Sequence, residues 1–340
     1  MADKIGQLVK VSRQFRAQVL AADKAASARL IGAWQQTSKA LNAELAHILD
    51  LVAERTAAGT DVANLVYREA RVTAFLDHTQ EQIDRLSANA LPKLETAQAT
   101  TARLGADMAK AQLRIMGEVY RPHVSAVEQM VGNISEGSPL RELFAPLGTT
   151  TTKGVEKALV TGVSTGLNPK VVGKLINDEL GLGLSRSLTI ARTEMLRAYR
   201  GATVQSYRDS GVVSGYEWVS ARDETTCEVC WAADGEQFDT YEDIDGHPNC
   251  RCTLVPITPT YDELLGTTGL VDSAPNIPDK TAAFDALSEA EQLRIMGPGK
   301  LAAYNDGVPW SDFWQKTESA YGTSISTVPL KDITAASRAS

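Results

Sequence analysis

The first 120 residues repeat apolar side chains at helical spacing, and this pattern restricts the fold more than any other feature of the chain. One series has intervals of four, seven, four, three and four residues and consists of Leu30, Trp34, Leu41, Leu45, Ile48 and Val52. These intervals place the side chains on one stripe of an α-helix. Long helices with one apolar stripe bury that stripe against each other, so we expect a helical hairpin or bundle.

Composition and the N-terminal stretch limit the class of protein. Hydrophobic residues make up 43% of the 340 residues and charged residues 22%, which is typical of a soluble globular protein of two or three domains. No apolar run approaches the roughly 18 residues of a membrane span, and the N-terminus lacks the apolar core of a secretory signal. We therefore expect folding in a cytoplasm, where thiols stay reduced.

Composition also changes along the chain and predicts its organisation. A stretch rich in Gly, Ser, Pro and Thr ends in GTTTTK and indicates a linker, and GYEWVSA and CTLVPI indicate short strands. The predicted segments are a long-helix region at 1–134, a linker at 135–152, a domain with the cysteines at 153–257, a linker at 258–287 and a small helical tail at 288–340. The predicted fold class is mainly α, with a small α+β domain around the cysteine loop.

One predicted helix carries a strip of arginines. Asn168 and Pro169 begin a helix that ends near Leu180, and Ser185 begins a longer one that ends at Gly211. Opposite the apolar face of the longer helix, a narrow strip consists of Arg186, Arg197, Arg200 and Arg208. This arginine strip is either a solvated face or a cationic surface for phosphate or an acidic protein.

All four cysteines lie in one acidic stretch, residues 226–252, which we name the cysteine loop. It contains a C-x-x-C pair and then an H-x-x-C-x-C group, formed by Cys227, Cys230, His247, Cys250 and Cys252. Paired soft donors in two tight turns are typical of a structural zinc site. Because zinc takes four such donors, four of these five residues are the expected ligands.

The choice among the five donors stays open. If Cys252 begins the following strand, it alternates away from Cys250, and only one of the two ligates easily. If the turn extends through Arg251, Cys250 and Cys252 replace His247. Two disulfides are the other cross-link, if the mature protein leaves the cell, and free thiols are the remaining alternative. Some cross-link is needed because the loop has few apolar residues of its own.

Three stretches together resemble a known family. They are, in order, IARTEMLRAYRG, YEWVSARDETTCEVCWAADGEQF and HPNCRCTLVPI. Over about residues 150–257 the chain is similar to phage head-morphogenesis proteins, the minor head proteins of the Mu F type. The first stretch contains the motif Arg192, Thr193 and Glu194, to which we assign a structural role. We expect Arg192 and Glu194 to anchor their helix to the cysteine loop.

The resemblance implies a virion protein of low copy number or portal-matched symmetry, assembled in the host cytoplasm and associated with the portal vertex of the head. It implies a role in head assembly and in DNA packaging or ejection. The implied partner is the portal protein, with the major capsid protein and packaged DNA as further candidates.

Two other functions compete with a structural, non-enzymatic role. One is a zinc-containing DNA-binding adaptor that uses the arginine strip, although the net charge of -8 and the acidic loop disfavour it. The other is a metal-dependent enzyme such as a nuclease, which would need a second histidine near His247. The remaining histidines lie in the helical half of the sequence.

Overall fold

The computed structural model describes residues 2–58, 70–117, 127–128, 132, 138–165, 167–223, 225–259, 279–319 and 322–337. The predicted fold class is confirmed, since long helices dominate and the sheets are small. The helices are α1 Ala2–Ala57, α2 Ala70–Met116, α3 Leu140–Phe144, α4 Leu147–Ser164, α5 Pro169–Ser210, α6 Glu228–Ala232, α7 Lys280–Asp285, α8 Glu289–Asn305 and α9 Leu330–Ser337. The strands are β1 Gly215–Val219, β2 Gln237–Asp239, β3 Thr253–Ile257, β4 Trp314–Ser319 and β5 Gly322–Thr327.

The chain divides into two compact units, each built from separate segments. The helical unit contains residues 22–97 and 138–194. The cysteine unit contains residues 1–21, 98–137 and 195–340. This division differs from the successive segments expected from the sequence, because each of the three longest helices contributes residues to both units.

The helical unit is a bundle built around the predicted stripe of α1. The described members of this stripe are all buried, namely Leu30, Trp34, Leu41, Leu45 and Ile48. The side chain of Val52 lies outside the described residues. Trp34 Nε1 donates a hydrogen bond of 3.1 Å to Ser187 Oγ, so its one polar atom is satisfied inside the bundle. Full burial of each large apolar side chain stabilises such a bundle by about 1.5–3 kcal/mol.

The cysteine unit contains a three-stranded antiparallel sheet with β1 in the centre, in the order β2-β1-β3. Tyr216 lies between Phe238 and Pro256, and Trp218 is opposite Leu254. The two strands predicted from the sequence are therefore confirmed, and they pair with each other. The cysteine loop lies between them in the chain, so the sheet fixes both of its ends.

Within the cysteine unit, most residues in the last part of α5 are buried. Ala198 and Ala202 pack against Ala102 and Ala106 of α2. On another side, Tyr207 packs into the core cluster that contains the sheet. This part of α5 therefore belongs to the core of the unit, and only Asp209 near its end is fully exposed.

Several predicted boundaries differ from the structure. The break expected between Leu180 and Ser185 is wrong, because α5 is one continuous helix. Pro92, which in the sequence indicates either the end of a helix or a kink, lies inside α2 and does not end it. The GTTTTK stretch of the predicted linker is helical in α4, since the buried side chains of Leu147 and Val155 fix this helix despite the low helix propensity of threonine.

The C-terminal tail is also more than helical. It contains the antiparallel hairpin of β4 and β5, which the sequence prediction missed. The sequence Ser288-Glu289-Ala290-Glu291 predicts a capping box at the start of α8, and the structure confirms it: Ser288 Oγ accepts from the Glu291 backbone N–H, and the Glu291 carboxylate accepts from Ser288 N. The predicted linker at 258–287 lies largely outside the described residues. Among the residues that the structure covers, no helix combines the length and apolar character needed to cross a membrane.

Candidate metal centre

The C-x-x-C pair is presented by the short helix α6. Cys227 occupies its N-cap position with an extended backbone, and Cys230 lies within its first turn. Residues three apart lie on the same side of a helix, so the sulfurs of Cys227 and Cys230 lie on the same side of α6. Before the helix, Thr226 Oγ1 donates to the Asp223 carboxylate over 3.1 Å and orders the approach to Cys227.

The second group of donors is presented by a tight turn from His247 to Cys250. The Cys250 backbone N–H donates to the His247 carbonyl over 3.0 Å. Gly246, just before the turn, has a φ of 80°. A side chain there would bring its Cβ to 3.1 Å from both Arg200 Nη2 and Cys250 Sγ. Glycine is therefore required by the backbone angle and by the space beside Cys250.

The two groups bring their donor atoms together. His247 Nε2 lies 3.1 Å from Cys227 Sγ and 3.0 Å from Cys230 Sγ. Cys230 Sγ lies 3.7 Å from Cys250 Sγ. Cys230 thus belongs to two sets whose donor atoms all lie within 4.8 Å of one another, one with Cys227 and His247 and one with Cys250 and Cys252.

These distances fit a metal ion better than a disulfide. Around a tetrahedral ion with metal–sulfur bonds of about 2.3 Å, neighbouring sulfurs lie about 3.8 Å apart. The 3.7 Å between Cys230 and Cys250 is close to that value and far beyond the roughly 2.0 Å of a disulfide bond. All four cysteines are free thiols. The cluster can therefore bind a metal ion through thiolate and imidazole donors.

The ring of His247 is oriented for this role. Its Nδ1 lies 2.7 Å from the Pro248 carbonyl oxygen, which can only accept, so Nδ1 carries a proton. Nε2 is then the nitrogen directed at the sulfurs of Cys227 and Cys230. Metal-binding histidines are commonly fixed in this way by a carbonyl on the opposite nitrogen.

The cluster also stabilises thiolates. A hydrogen bond from Cys230 lowers the pKa of Cys227 to about 5. Burial raises the pKa of Cys250, but hydrogen bonds from Cys230 and Cys252 and the charge of Arg200 outweigh it and hold that pKa well below its usual range. Burial lowers the pKa of His247, yet its contacts with the thiolates of Cys227 and Cys250 raise it to about 10. Metal binding must therefore release the imidazolium proton and any remaining thiol protons.

One side of the cluster borders a cavity of about 260 Å³ whose lining includes Arg16 and Asn249. Cys227 is exposed, whereas Cys250 and Cys252 are buried. Small solutes such as chelators therefore have a path to the cluster from the side of Cys227.

Arg200 lies behind the cluster and is only 1% exposed. Its Nη1 donates to the Cys250 carbonyl over 3.2 Å, its Nη2 donates to the Asp245 carbonyl, and its guanidinium lies 5.5 Å from the ring centre of Trp218. The prediction of Arg200 on a solvent-facing strip is therefore wrong. The helical wheel assumed one covered face, but the cysteine loop covers the opposite face of α5 as well.

Two other members of the arginine strip also bind the cysteine loop. Arg197 forms an ion pair of 2.7 Å with Asp245. Arg208 donates to the Thr240 carbonyl over 2.6 Å and forms an ion pair with a neighbouring aspartate of the loop. Arg186, by contrast, is exposed and lies in the helical unit. The strip is therefore not one continuous cationic surface.

The Arg192, Thr193 and Glu194 motif lies in the helical unit. Arg192 forms an ion pair of 2.7 Å with Asp23, and Glu194 accepts a hydrogen bond of 3.0 Å from Ser138 Oγ. Thr193 donates to a carbonyl one turn earlier in α5. We expected Arg192 and Glu194 to anchor α5 to the cysteine loop, but in the structure Arg197, Arg200 and Arg208 do so.

Sequence reasoning missed the roles of Asp245, Gly246 and Arg200 in shaping the turn that carries His247 and Cys250. The sequence did contain a signal for Asp245 and Arg200. The acidic loop and the arginine strip carry opposite charges within one segment, and opposite charges so placed are expected to pair. Gly246 gave no comparable signal, because its need for a positive φ depends on the folded turn.

Comparison with known proteins adds one finding. Residues 153–255 match the model of a family described as Phage Mu protein F like protein. No curated protein and no solved structure matches the chain. The matched residues run from α4 into β3 and include all five donors of the cluster. The resemblance to phage head-morphogenesis proteins is thus confirmed over this segment.

Proposed function

From the match of residues 153–255 to a phage head-morphogenesis family, we propose that this chain is a minor head protein of a bacteriophage. It associates with the portal vertex of the virion and acts in head assembly and in DNA packaging or ejection. The observation that carries this proposal is that the matched segment contains all five donors of the cysteine cluster.

Within this function, the cluster binds one structural zinc ion. Four thiolate or imidazole donors in tetrahedral geometry favour zinc. Hard cations such as calcium and magnesium prefer oxygen ligands. Cys230 is the one donor common to both sets, so it is a ligand whichever of the others complete the site. When bound, zinc supplies a cross-link between α6 and the turn before β3.

A DNA-binding adaptor receives less support. Phosphate binding needs cationic groups that are free to contact the backbone of DNA. Arg197 and Arg208 instead form ion pairs with acidic side chains of the loop, and Arg200 is buried. We also infer a non-enzymatic role, because the matched family is one of structural head proteins.

The partner is tested by co-purification with the portal protein of the same phage. We expect a complex that persists as salt is raised and is lost when a chelator removes the metal, because the cross-linked loop shapes the binding unit. Arg186→Glu is the charge control and should bind as the unchanged chain does, since Arg186 lies outside the cysteine unit.

Two outcomes contradict the proposal. Absence of a portal complex with or without metal would refute the association with the vertex. Binding that falls steeply with salt and is displaced by DNA would instead support the adaptor.

A further inference from the structure

The short helix α6, which carries the first pair of donors, depends on residues far away in the sequence. It has five residues, Glu228–Ala232, and a helix of this length is not stable by itself. Lys300 of α8 forms an ion pair of 2.6 Å with Glu228, in the first turn of α6. The two side chains are only 14% and 13% exposed, so the pair lies largely out of water.

The other end of α6 is bound by a second lysine of the same C-terminal segment. Lys280 Nζ donates over 2.5 Å to the Ala232 carbonyl, one of the carbonyls left without a helical partner. Between the two ends, the fully buried Trp231 packs against Phe284, with ring centres 5.3 Å apart. Both termini and the apolar face of α6 are thus bound by residues that follow position 279.

The second group of donors has a similar connection. Ile244 forms a β-bridge with Thr323 of β5, and the Asp245 backbone N–H donates to the Thr323 carbonyl over 2.9 Å. Lys316 of β4 forms an ion pair with Glu242. These contacts fix the backbone just before Gly246 and His247. The C-terminal segment therefore contacts the supports of both donor groups.

We infer that the described residues 280–319 and 322–337 form a clasp that positions both groups of metal ligands, so that docking of this segment and metal binding stabilise each other. The inference rests on the metal centre proposed above. The clasp lies outside the matched residues 153–255. Because coupling between two binding events is reciprocal, a change that releases the clasp weakens metal binding, and metal loss loosens the clasp.

The test measures how fast zinc passes from the full chain to a chromogenic chelator. Lys300→Met removes the charge that binds Glu228, and partners that orient metal ligands typically change metal affinity by 10- to 100-fold. We therefore expect release about tenfold faster than from the unchanged chain. Lys280→Met should act in the same direction. Lys300→Arg, which keeps the ion pair, should retain slow release.

Glu289→Gln is the charge-removing control, since Glu289 is exposed in the same segment and its change should leave the rate unaltered. Circular dichroism checks that each variant keeps its helices. In the reciprocal measurement, adding chelator to the unchanged chain should produce new protease cuts within residues 280–337.

The outcomes separate this inference from the metal centre itself. Unchanged zinc release from folded Lys300→Met and Lys280→Met, or an unaltered cleavage pattern after chelation, overturns the clasp while the metal centre stands. If the unchanged chain takes up no zinc, the proposed metal centre is refuted, and so is the coupling of the clasp to metal binding.

Discussion

Arg200 is the residue whose environment departs most from expectation, because a cation expected in water is enclosed by the core of the cysteine unit. Its guanidinium binds two carbonyls of the cysteine loop and covers the ring of Trp218. A strip defined by a helical wheel reports only angular position. Which sides of the helix are buried depends on segments later in the chain that pack against it. Here the cysteine loop packs against the side of α5 that carries Arg200.

Arg200→Met should therefore lower the free energy of unfolding by about 2 kcal/mol, because the carbonyls of Asp245 and Cys250 lose their buried donor. The exposed Arg186 on the same helix provides the control, and Arg186→Met should change stability by less than about 0.5 kcal/mol. Urea unfolding measures both. Equal stability of the two variants would contradict the buried position of Arg200.

Glu217 in β1 makes stability depend on pH. Burial, followed by the charge of Asp234, raises the pKa of Glu217 to about 7, against the opposing charges of Arg222 and Lys280. The folded state therefore binds this proton more tightly than the unfolded state, whose pKa is near 4.5. The resulting stabilisation is complete below about pH 4.5 and is lost as the pH rises through 7.

Glu217→Gln, which stays neutral, should accordingly be more stable than the unchanged chain at pH 8, by on the order of 2 kcal/mol. The difference should shrink as the pH is lowered toward 4.5. Unfolding curves at several pH values test this, with Glu289→Gln at an exposed position as the control. A stability difference that does not vary with pH would show that Glu217 is not responsible.

Among the elements, those predicted correctly follow from local patterns. The stripe of α1, the two strands beside the cysteine loop and the capping box at Ser288 each depend on residues close in sequence. The hairpin of β4 and β5 was missed because it is mostly polar and only Ile325 of β5 is buried. No alternation of apolar and polar residues marks it. Its contacts with the cysteine loop join residues far apart in the chain, so they produce no recognisable pattern in the local sequence.

The five candidate ligands were likewise visible as a motif, because donor type and spacing are local properties. Their support was not visible. It depends on Arg200, on Lys300 and on the bridge between Ile244 and Thr323, which join residues far apart in the chain.

The close approach of α2 and α5 in the cysteine unit gives a prediction for an element pair. A Cβ on Gly105 would lie 2.1 Å from the Tyr199 carbonyl oxygen, which is backbone and cannot turn away. Gly105→Ala should therefore destabilise the chain by about 1–3 kcal/mol, as expected for overpacking in a core.

Gly32→Ala in α1 is the matched control. No atom lies within 4 Å of a Cβ at Gly32, so the higher helix propensity of alanine should stabilise the chain by about 0.5–1 kcal/mol. Thermal unfolding of the two variants should shift in opposite directions. Shifts of the same sign would contradict the helix contact at Gly105.

For the whole molecule, loss of one thiolate should affect one unit and spare the other. Cys227→Ser removes a donor of the cluster, and structural zinc sites contribute on the order of 10 kcal/mol of binding free energy in small modules. Limited proteolysis should show new cuts at residues 211–257 and in the C-terminal clasp. The helical unit has its own apolar core and should resist cleavage. Cleavage spread evenly over both units would contradict this separation.

The central claim is that the five-donor cluster binds one zinc ion in each chain. Native mass spectrometry of protein purified under reducing conditions tests it most directly, because metal content and thiol oxidation both change the mass. We predict the mass of the chain plus one zinc, with every cysteine reduced. A metal-free chain, whether its cysteines are reduced or its mass is lower by the four hydrogens lost on forming two disulfides, would contradict the claim.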